Sequence, residues 1–246
     1  MPDYFLSDVH LRLDEPDRGR RLAGLVDRFG ASDTLTIVGD LCDFWYAARQ
    51  IDSDPMACAG LRSLASFRDR GGQITVLAGN HDAWLGPFYE QTIGARFLPD
   101  SLETQVQGLR ALIAHGHLLG AHTPWKTVLK GRAFLAAFRK VPSPLANALG
   151  AQLRRTNYRN QEAFDRKGLS VYRKYAERHP GDYDLIILGH VHSPLDTAPN
   201  RPRLVVLGGW QAHCCYLVVE DGVASHVVEP AERSGPARER LSPGRE

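Results

Sequence analysis

Five times along this 246-residue chain a short apolar run stops, and the residues that follow are Asp, Asn or His. The five clusters are Asp8-Val9-His10, Gly39-Asp40-Leu41-Cys42-Asp43, Gly79-Asn80-His81-Asp82, His115-Gly116-His117 and Gly189-His190-Val191-His192. The runs before them (4–6, 34–38, 74–77, 111–114 and 185–188) are apolar and largely β-branched, and read as buried strands, with 204–207 as a sixth. Helical patterns over 18–29 and 56–70 alternate with the early strands, the second stopped by Gly71-Gly72. This alternation predicts an α/β layered fold, in which ligands collect at the carboxyl ends of the strands, so all five clusters can meet at one edge. Ionisable groups buried without partners are costly, and five such strand ends by coincidence are hard to accept.

Together the clusters offer Asp, Asn and His, borderline-hard donors suited to Mn, Fe, Zn or Mg rather than to soft metals. Gly39, Gly79 and Gly189 are expected to end their strands with a sharp turn that aims the next side chain into the pocket. In extended chain, residues i and i+2 share a face, so Asp8 with His10, and His190 with His192, are each expected to reach one metal. Each cluster alone has an ordinary explanation: Asp40 as a helix N-cap, Asn80 as a turn residue, His115 as a core histidine. The set of five does not. Asp82 reads as a residue that fixes its turn. His117 and His122 are weaker candidates, and His213 and His226 read as ordinary strand or surface residues.

The order DxH, GDxxD, GNHD, HGH, GHxH resembles that of the calcineurin-like metallophosphoesterases. The resemblance implies a four-layer α-β-β-α sandwich and two divalent metal ions, manganese foremost, with iron, zinc or magnesium as alternatives. Carried over by position, it puts Asp8, His10, Asp40 and His192 on the first ion and Asp40, Asn80, His115 and His190 on the second, Asp40 bridging. Such a pair activates water for attack on a phosphoryl group. His81 is then left to hydrogen-bond a phosphoryl oxygen or protonate the leaving oxygen, and Asp43 matches the carboxylate that orients it.

Within that family the opening, the aromatic run Asp43-Phe44-Trp45-Tyr46 and a helical insert ending in Arg154-Arg155-Thr156-Asn157 resemble the UDP-2,3-diacylglucosamine hydrolase branch of lipid A synthesis. That implies cleavage of a nucleotide-sugar lipid at its pyrophosphate, under a cap that holds acyl chains. Asn80, Arg155, Asn157 and Lys167 are the substrate-contact candidates. The chain departs from the best-described branch at His81, where Arg stands, and at His117, where Asp stands.

Residues 118–178 hold 13 Lys/Arg against 3 Asp/Glu, a local +10, so the remainder carries −8 within a total of +2. One segment is built for an anion or an anionic surface. Over 125–155 Phe134, Phe138, Val141, Leu145, Leu149 and Leu153 recur at helical spacing, a basic amphipathic pattern also suited to an anionic membrane surface. The expected organisation is a metallophosphoesterase domain over 1–230, a helical cap inserted at 118–180, and a disordered tail over 231–246, in a stretch rich in Pro, Gly, Arg and Glu from Glu229 onward. Cys42, Cys58, Cys214 and Cys215 show no CxxC pairing or disulfide framework, which reads as reduced thiols in a cytoplasm. No leader and no membrane-spanning run is evident, so a cytoplasmic protein, at most peripheral on the inner membrane, is expected. Two rivals remain. A nucleic-acid enzyme of the same fold would use the basic segment on a phosphate backbone, although the insert's aromatics fall at core-packing spacing, which disfavours nucleic acid. A non-catalytic interaction module would not be expected to keep all seven presumed ligands. The oligomeric state is open.

Overall fold

The computed structural model describes residues 1–43, 54–119, 141 and 161–230. The aromatic run after Asp43, nearly all of the amphipathic pattern at 125–155, Arg155, Asn157, His122 and the tail at 231–246 lie outside the described residues.

Eleven strands form two sheets among the described residues. The first contains β1 (Asp3–Leu6), β2 (Thr34–Val38), β3 (Gln73–Leu77), β4 (Arg96–Leu98), β10 (His213–Glu220) and β11 (Val223–Pro230), in the order β11-β10-β1-β2-β3-β4. The second contains β5 (Leu102–Val106), β6 (Leu109–Ala114), β7 (Leu185–Leu188), β8 (Leu195–Asp196) and β9 (Arg203–Val206), in the order β5-β6-β7-β9-β8. Strands β1 to β4 are mutually parallel, as are β6, β7 and β9, so their carboxyl ends point the same way within each sheet. Helices α1 (Pro16–Val26) and α2 (Ala59–Asp69) cover the first sheet, and α3 (Gln161–Glu177) covers the second.

Period-two geometry explains the layering. Phe5, Val38, Leu77, Ile187 and Val205 point inward and make the core between the sheets. Their neighbours Leu6, Ile37 and Val76 point outward against Leu22, Leu25, Leu61, Leu64 and Phe67 of α1 and α2. Ile186, Leu188 and Val206 point outward on the other side, against Tyr172 and Ala176 of α3. Each parallel strand is therefore apolar on both faces, which is why those strands read as unbroken apolar runs. The result is the α-β-β-α sandwich.

The C-terminal hairpin forms with Glu220 opposite Val223, and both turn residues, Asp221 (φ 50°) and Gly222 (φ 76°), are left-handed, as a type I′ turn requires. The pairing runs further than composition suggests: Glu229 and Pro230 are in strand, opposite Cys214 and His213. Strands β4, β5 and β8 and a helical turn over Gly86–Phe88 that continues as a π-turn over Tyr89–Ile93 have no counterpart in the periodic reading. No helix among the described residues is long and apolar enough to cross a membrane.

Ile187 is fully buried between the sheets. Ile187→Ala is expected to cost about 2–5 kcal/mol, from lost transfer energy plus the cavity. Shortening the exposed Val228 to Ala should stay within about 0.5 kcal/mol. Urea titrations of the two variants check the difference.

Candidate metal centre

The five clusters leave the ends of β1, β2, β3, β6 and β7 and meet across the two sheets. The loops after β1 and β2 are joined by backbone bonds: Asp8 N to Gly39 O (3.2 Å), His10 N to Asp40 O (3.0 Å), Leu11 N to Leu41 O (2.8 Å) and Asp43 N to Leu11 O (3.2 Å). The expected alternation of Asp8 with His10, and of His190 with His192, on a strand face is not how they converge. Asp8 (φ 52°), His10 (φ 50°), Asp40 (φ 54°) and His190 (φ 66°) are left-handed loop residues, so the chain coils and brings every donor inward. Non-glycine residues held there carry strain, which the surrounding hydrogen bonds must offset.

The three glycines act differently from expectation. Of them only Gly39 (φ 81°) has the left-handed backbone. Gly79 is needed for space: a Cβ there would lie 2.0 Å from Asp40 Oδ1. At Gly189 it would lie 2.9 Å from Asp8 Oδ2 and from Ser7.

Two donor groups result. In the first, Asp8 Oδ1 lies 3.8 Å from His10 Nε2 and 3.7 Å from His192 Nε2, and the two imidazole nitrogens lie 3.2 Å apart. Donors about 2.1 Å from one ion stand roughly 3–3.5 Å from each other, close to this triangle. Asp8 Oδ1 is fully buried and makes no hydrogen bond, while Oδ2 accepts from His190 N at 2.8 Å. An orphaned carboxylate oxygen facing two imidazole nitrogens is what a cation would satisfy. Asp40, His115 and His190 form the second group, with His115 Nε2 3.4 Å from Asp40 Oδ2 and 3.2 Å from Asn80 Oδ1. His115 Nδ1 donates to the Val38 carbonyl (2.8 Å), which can only accept, so in the neutral ring Nε2 keeps its lone pair for the pocket. His10, Asp40 and His81 form a third grouping, with His81 Nε2 3.9 Å and His10 Nε2 4.0 Å from Asp40 Oδ2.

Charge follows from burial and neighbours. Burial, then the adjacent His81, holds His10 well below the ordinary imidazole value, and burial with His115 does the same to His190. Both rings are neutral donors. Burial also opposes charge on His115 and His81, yet Asp40, foremost among the carboxylates around them, draws each up to about 9. Burial pushes Asp8 up, whereas Asp40 is held well below its usual value because His115 and His81 outweigh its burial. Asp40 is thus the negative centre that draws protons onto His115 and His81, while His10 and His190 stay neutral.

Asp82 sits behind this cluster, fully buried. Its carboxylate accepts from Gly79 N (3.0 Å), Asp40 N (3.2 Å), Leu41 N (2.8 Å) and the Tyr89 hydroxyl (2.8 Å), tying the β2 and β3 loops together. Asp40 Oδ1 in turn accepts from His81 N at 2.8 Å. His81 Nδ1 stands 3.6 Å from Asp43 Oδ1, and Arg12 Nη1 donates to Asp43 Oδ2 at 3.3 Å. Burial disfavours the Asp43 anion, but His81, with Arg12 in support, holds it well below its usual value. His117 lies beside the second group, its ring 5.3 Å from His115 and 6.1 Å from His190. Lys167 is exposed on α3, one turn after Phe164, whose ring is 5.3 Å from that of His190.

Arg12 and Asp165 belong to none of the five clusters, whereas Tyr172, one of the insert's aromatics, packs in the core as its spacing implies. Arg12 is buried although it is an arginine, within the apolar stretch after His10. Asp165 is one of only 3 acids among the 13 basic residues of 118–178, a signal that was available.

A family model described as Calcineurin-like phosphoesterase matches residues 1–194. The UDP-2,3-diacylglucosamine hydrolase of Neisseria gonorrhoeae is 26% identical over 243 residues, covering 94% of this chain and 99% of its own. That of Aeromonas salmonicida is 28% identical over 236 residues, covering 90% and 91%. Among solved structures, a novel archaeal phosphodiesterase superposes with a TM-score of 0.48 at 15% identity, over 93% of this chain and 99% of that one.

Asp82→Ala should leave four buried donors without an acceptor and cost about 3 kcal/mol or more, with Asp82→Asn intermediate, as judged by chemical denaturation. Separately, His115 is protonated at neutral pH in the metal-free protein, because its pKa is raised to about 9. Uptake of a divalent cation at Nε2 must displace that proton. Proton release on metal addition in weak buffer at about pH 7, fading as the pH is raised through 9, is the expected outcome.

Proposed function

The chain belongs to the calcineurin-like phosphoesterase family of metal-dependent hydrolases, and we propose that it cleaves the pyrophosphate of UDP-2,3-diacylglucosamine to UMP and 2,3-diacylglucosamine 1-phosphate. The observation that carries the hydrolytic reading is the pair of carboxylate–imidazole groups at the parallel strand ends, with the orphaned Asp8 Oδ1 in the first. The substrate reading is supported by relatives that carry that name and align along nearly the whole of both chains.

In this reading Asp8, His10, Asp40 and His192 hold one cation, and Asp40, Asn80, His115 and His190 hold the other, with manganese the metal of choice. The cation pair supplies the charge that makes water a nucleophile at neutral pH and offsets charge on the phosphoryl oxygens. Asp40 would be the shared ligand, because its Oδ2 faces His115 Nε2 at 3.4 Å and His10 Nε2 at 4.0 Å, one imidazole from each group. His81, kept protonated by Asp40 and Asp43, hydrogen-bonds the phosphoryl group. As the water oxygen bonds to phosphorus and the bond to the bridging oxygen breaks, the His81 proton passes to the departing oxygen. Asp43, itself fixed by Arg12, orients the His81 ring through Nδ1.

Asn80, Arg155, Asn157 and Lys167 contact the substrate, and the basic insert at 118–180 takes the acylated part, with α3 as its base on the second sheet. The same basic segment draws the protein to an anionic membrane surface from the cytoplasmic side. A second reading, a different phosphodiester or pyrophosphate as substrate, is favoured by one observation: His81 is present, whereas the resemblance to the best-described branch implies Arg at that position.

Turnover of UDP-2,3-diacylglucosamine beside a generic aryl phosphodiester, with Mn2+, separates the two. Selective turnover of the lipid nucleotide is expected, and equal or reversed preference would sink the substrate assignment. His81→Ala should keep both metals and lose about 10²–10⁴-fold in turnover. Asp43→Asn should lower kcat with little change in KM, because the interaction matters mainly in the transition state. Loss of a metal from His81→Ala would instead make His81 a ligand.

A further inference from the structure

One face of α3 is given over to the loop at 189–193, residue by residue. The Tyr172 hydroxyl donates to Gly189 O at 3.2 Å. The Phe164 ring meets the His190 ring edge-on at 5.3 Å. Val191 lies against Gly168, where a Cβ would come within 2.5 Å of its Cγ2. Asp165, 4% exposed, accepts from His192 N through Oδ1 (3.3 Å) and from the Ser193 hydroxyl through Oδ2 (2.7 Å). Gln161 Nε2 donates to the same Oδ1 at 2.7 Å and completes the set. Positions 161, 164, 165, 168 and 172 follow helical spacing, so they form a single stripe.

The loop needs such a hold. His190 is left-handed (φ 66°), a conformation that a histidine keeps only when its surroundings impose it. Asp8 Oδ2 fastens one end of the loop through His190 N. Asp165 fastens the other end, and it does so beside the half-buried ring of His192, whose Nε2 faces His10 at 3.2 Å. A buried carboxylate that accepts a backbone N–H and a hydroxyl holds both with charge-assisted bonds.

We propose that Asp165 is a positioning residue of the metal centre: from α3 it locks the 192–193 backbone so that the His192 imidazole completes the Asp8–His10–His192 group. The inference rests on the reading of that group as a cation site. Groups that orient metal ligands from behind typically contribute 10–100-fold to metal affinity. The effect of losing Asp165 should therefore fall on one of the two cations.

The test uses the full chain, stripped of metal and titrated with Mn2+ alone, in wild type, Asp165→Ala, Asp165→Asn and Ser193→Ala. In wild type, two equivalents should bind. Asp165→Ala should weaken one of them by about 10–100-fold and leave the other unchanged. Asp165→Asn, which keeps an acceptor oxygen, should recover most of that loss, and Ser193→Ala, which removes one anchor without touching the carboxylate, should show a smaller loss at the same equivalent. In the metal-free state the His192 amide should exchange with solvent faster in Asp165→Ala, while amides of β7 and β9 keep wild-type rates. Unchanged binding of both equivalents would overturn the proposal. So would equal weakening of both with faster exchange throughout the second sheet, which marks a merely structural residue. A wild-type chain that binds no Mn2+ would sink the cation site itself and with it the positioning role. The metal-free exchange rates would still show whether Asp165 holds the loop, so the two failures are told apart.

Discussion

The site depends first on the carboxylate of Asp82, which no substrate or cation needs to touch. It accepts from four donors, two at the start of the Asp40 loop, one at Gly79, and one on Tyr89 of the π-turn. Burial and the nearby Asp40 charge push its pKa up to about 6, so the four bonds work against a real desolvation cost. With the Asp40 backbone fixed from behind, its side chain has one way to point. Gly79 then lets that side chain pass, because any β-carbon there would overlap it. The acid that holds the loop and the acid that faces the histidines are distinct, and the first makes the second usable.

Most of this architecture was legible because the strands that carry the site are buried on both faces. Such strands leave unbroken apolar runs, and the polar cluster after each run marks where it ends. Strands β4, β5 and β8 were not legible for the converse reason. They are short or edge strands, and β5 reads Leu102-Glu103-Thr104-Gln105-Val106, mostly exposed, with nothing periodic to find. Asp221-Gly222 carries the left-handed turn of the hairpin, whereas the end of its second strand leaves no pattern, because Glu229 and Pro230 belong by composition to the tail.

In the site, the convergence of the five clusters was readable and the conformations that bring it about were not. Asp8 and His10 were expected to share a strand face; instead left-handed turns at both, and at Asp40 and His190, aim the donors. Such turns are imposed by bonds to distant chain, which a local pattern does not contain. Arg12 and Asp165 escaped notice for a related reason. Each is meaningful only through a partner remote in sequence, Asp43 for the first and the His192–Ser193 backbone for the second. A buried arginine in an apolar stretch and one of the few acids of a basic segment are the traces they leave.

The two donor groups also differ in how they span the molecule. Asp8, His10 and Asp40 hang from the first sheet, while His115, His190 and His192 hang from the second. Neither sheet owns a complete one of these two groups, whereas the third grouping, His10, Asp40 and His81, hangs wholly from the first. What lies between the sheets is apolar packing by Phe5, Val38, Leu77, Ile187 and Val205, pinned at the site by directional bonds from His115 Nδ1 to Val38 O and from His190 N to Asp8 Oδ2. Alignment of the donors is therefore a vernier reading of how one sheet is registered against the other. A change deep in the apolar seam, far from any donor, is therefore coupled to the site through that registration, and a cation held by donors from both sheets would act as the rivet between the two halves.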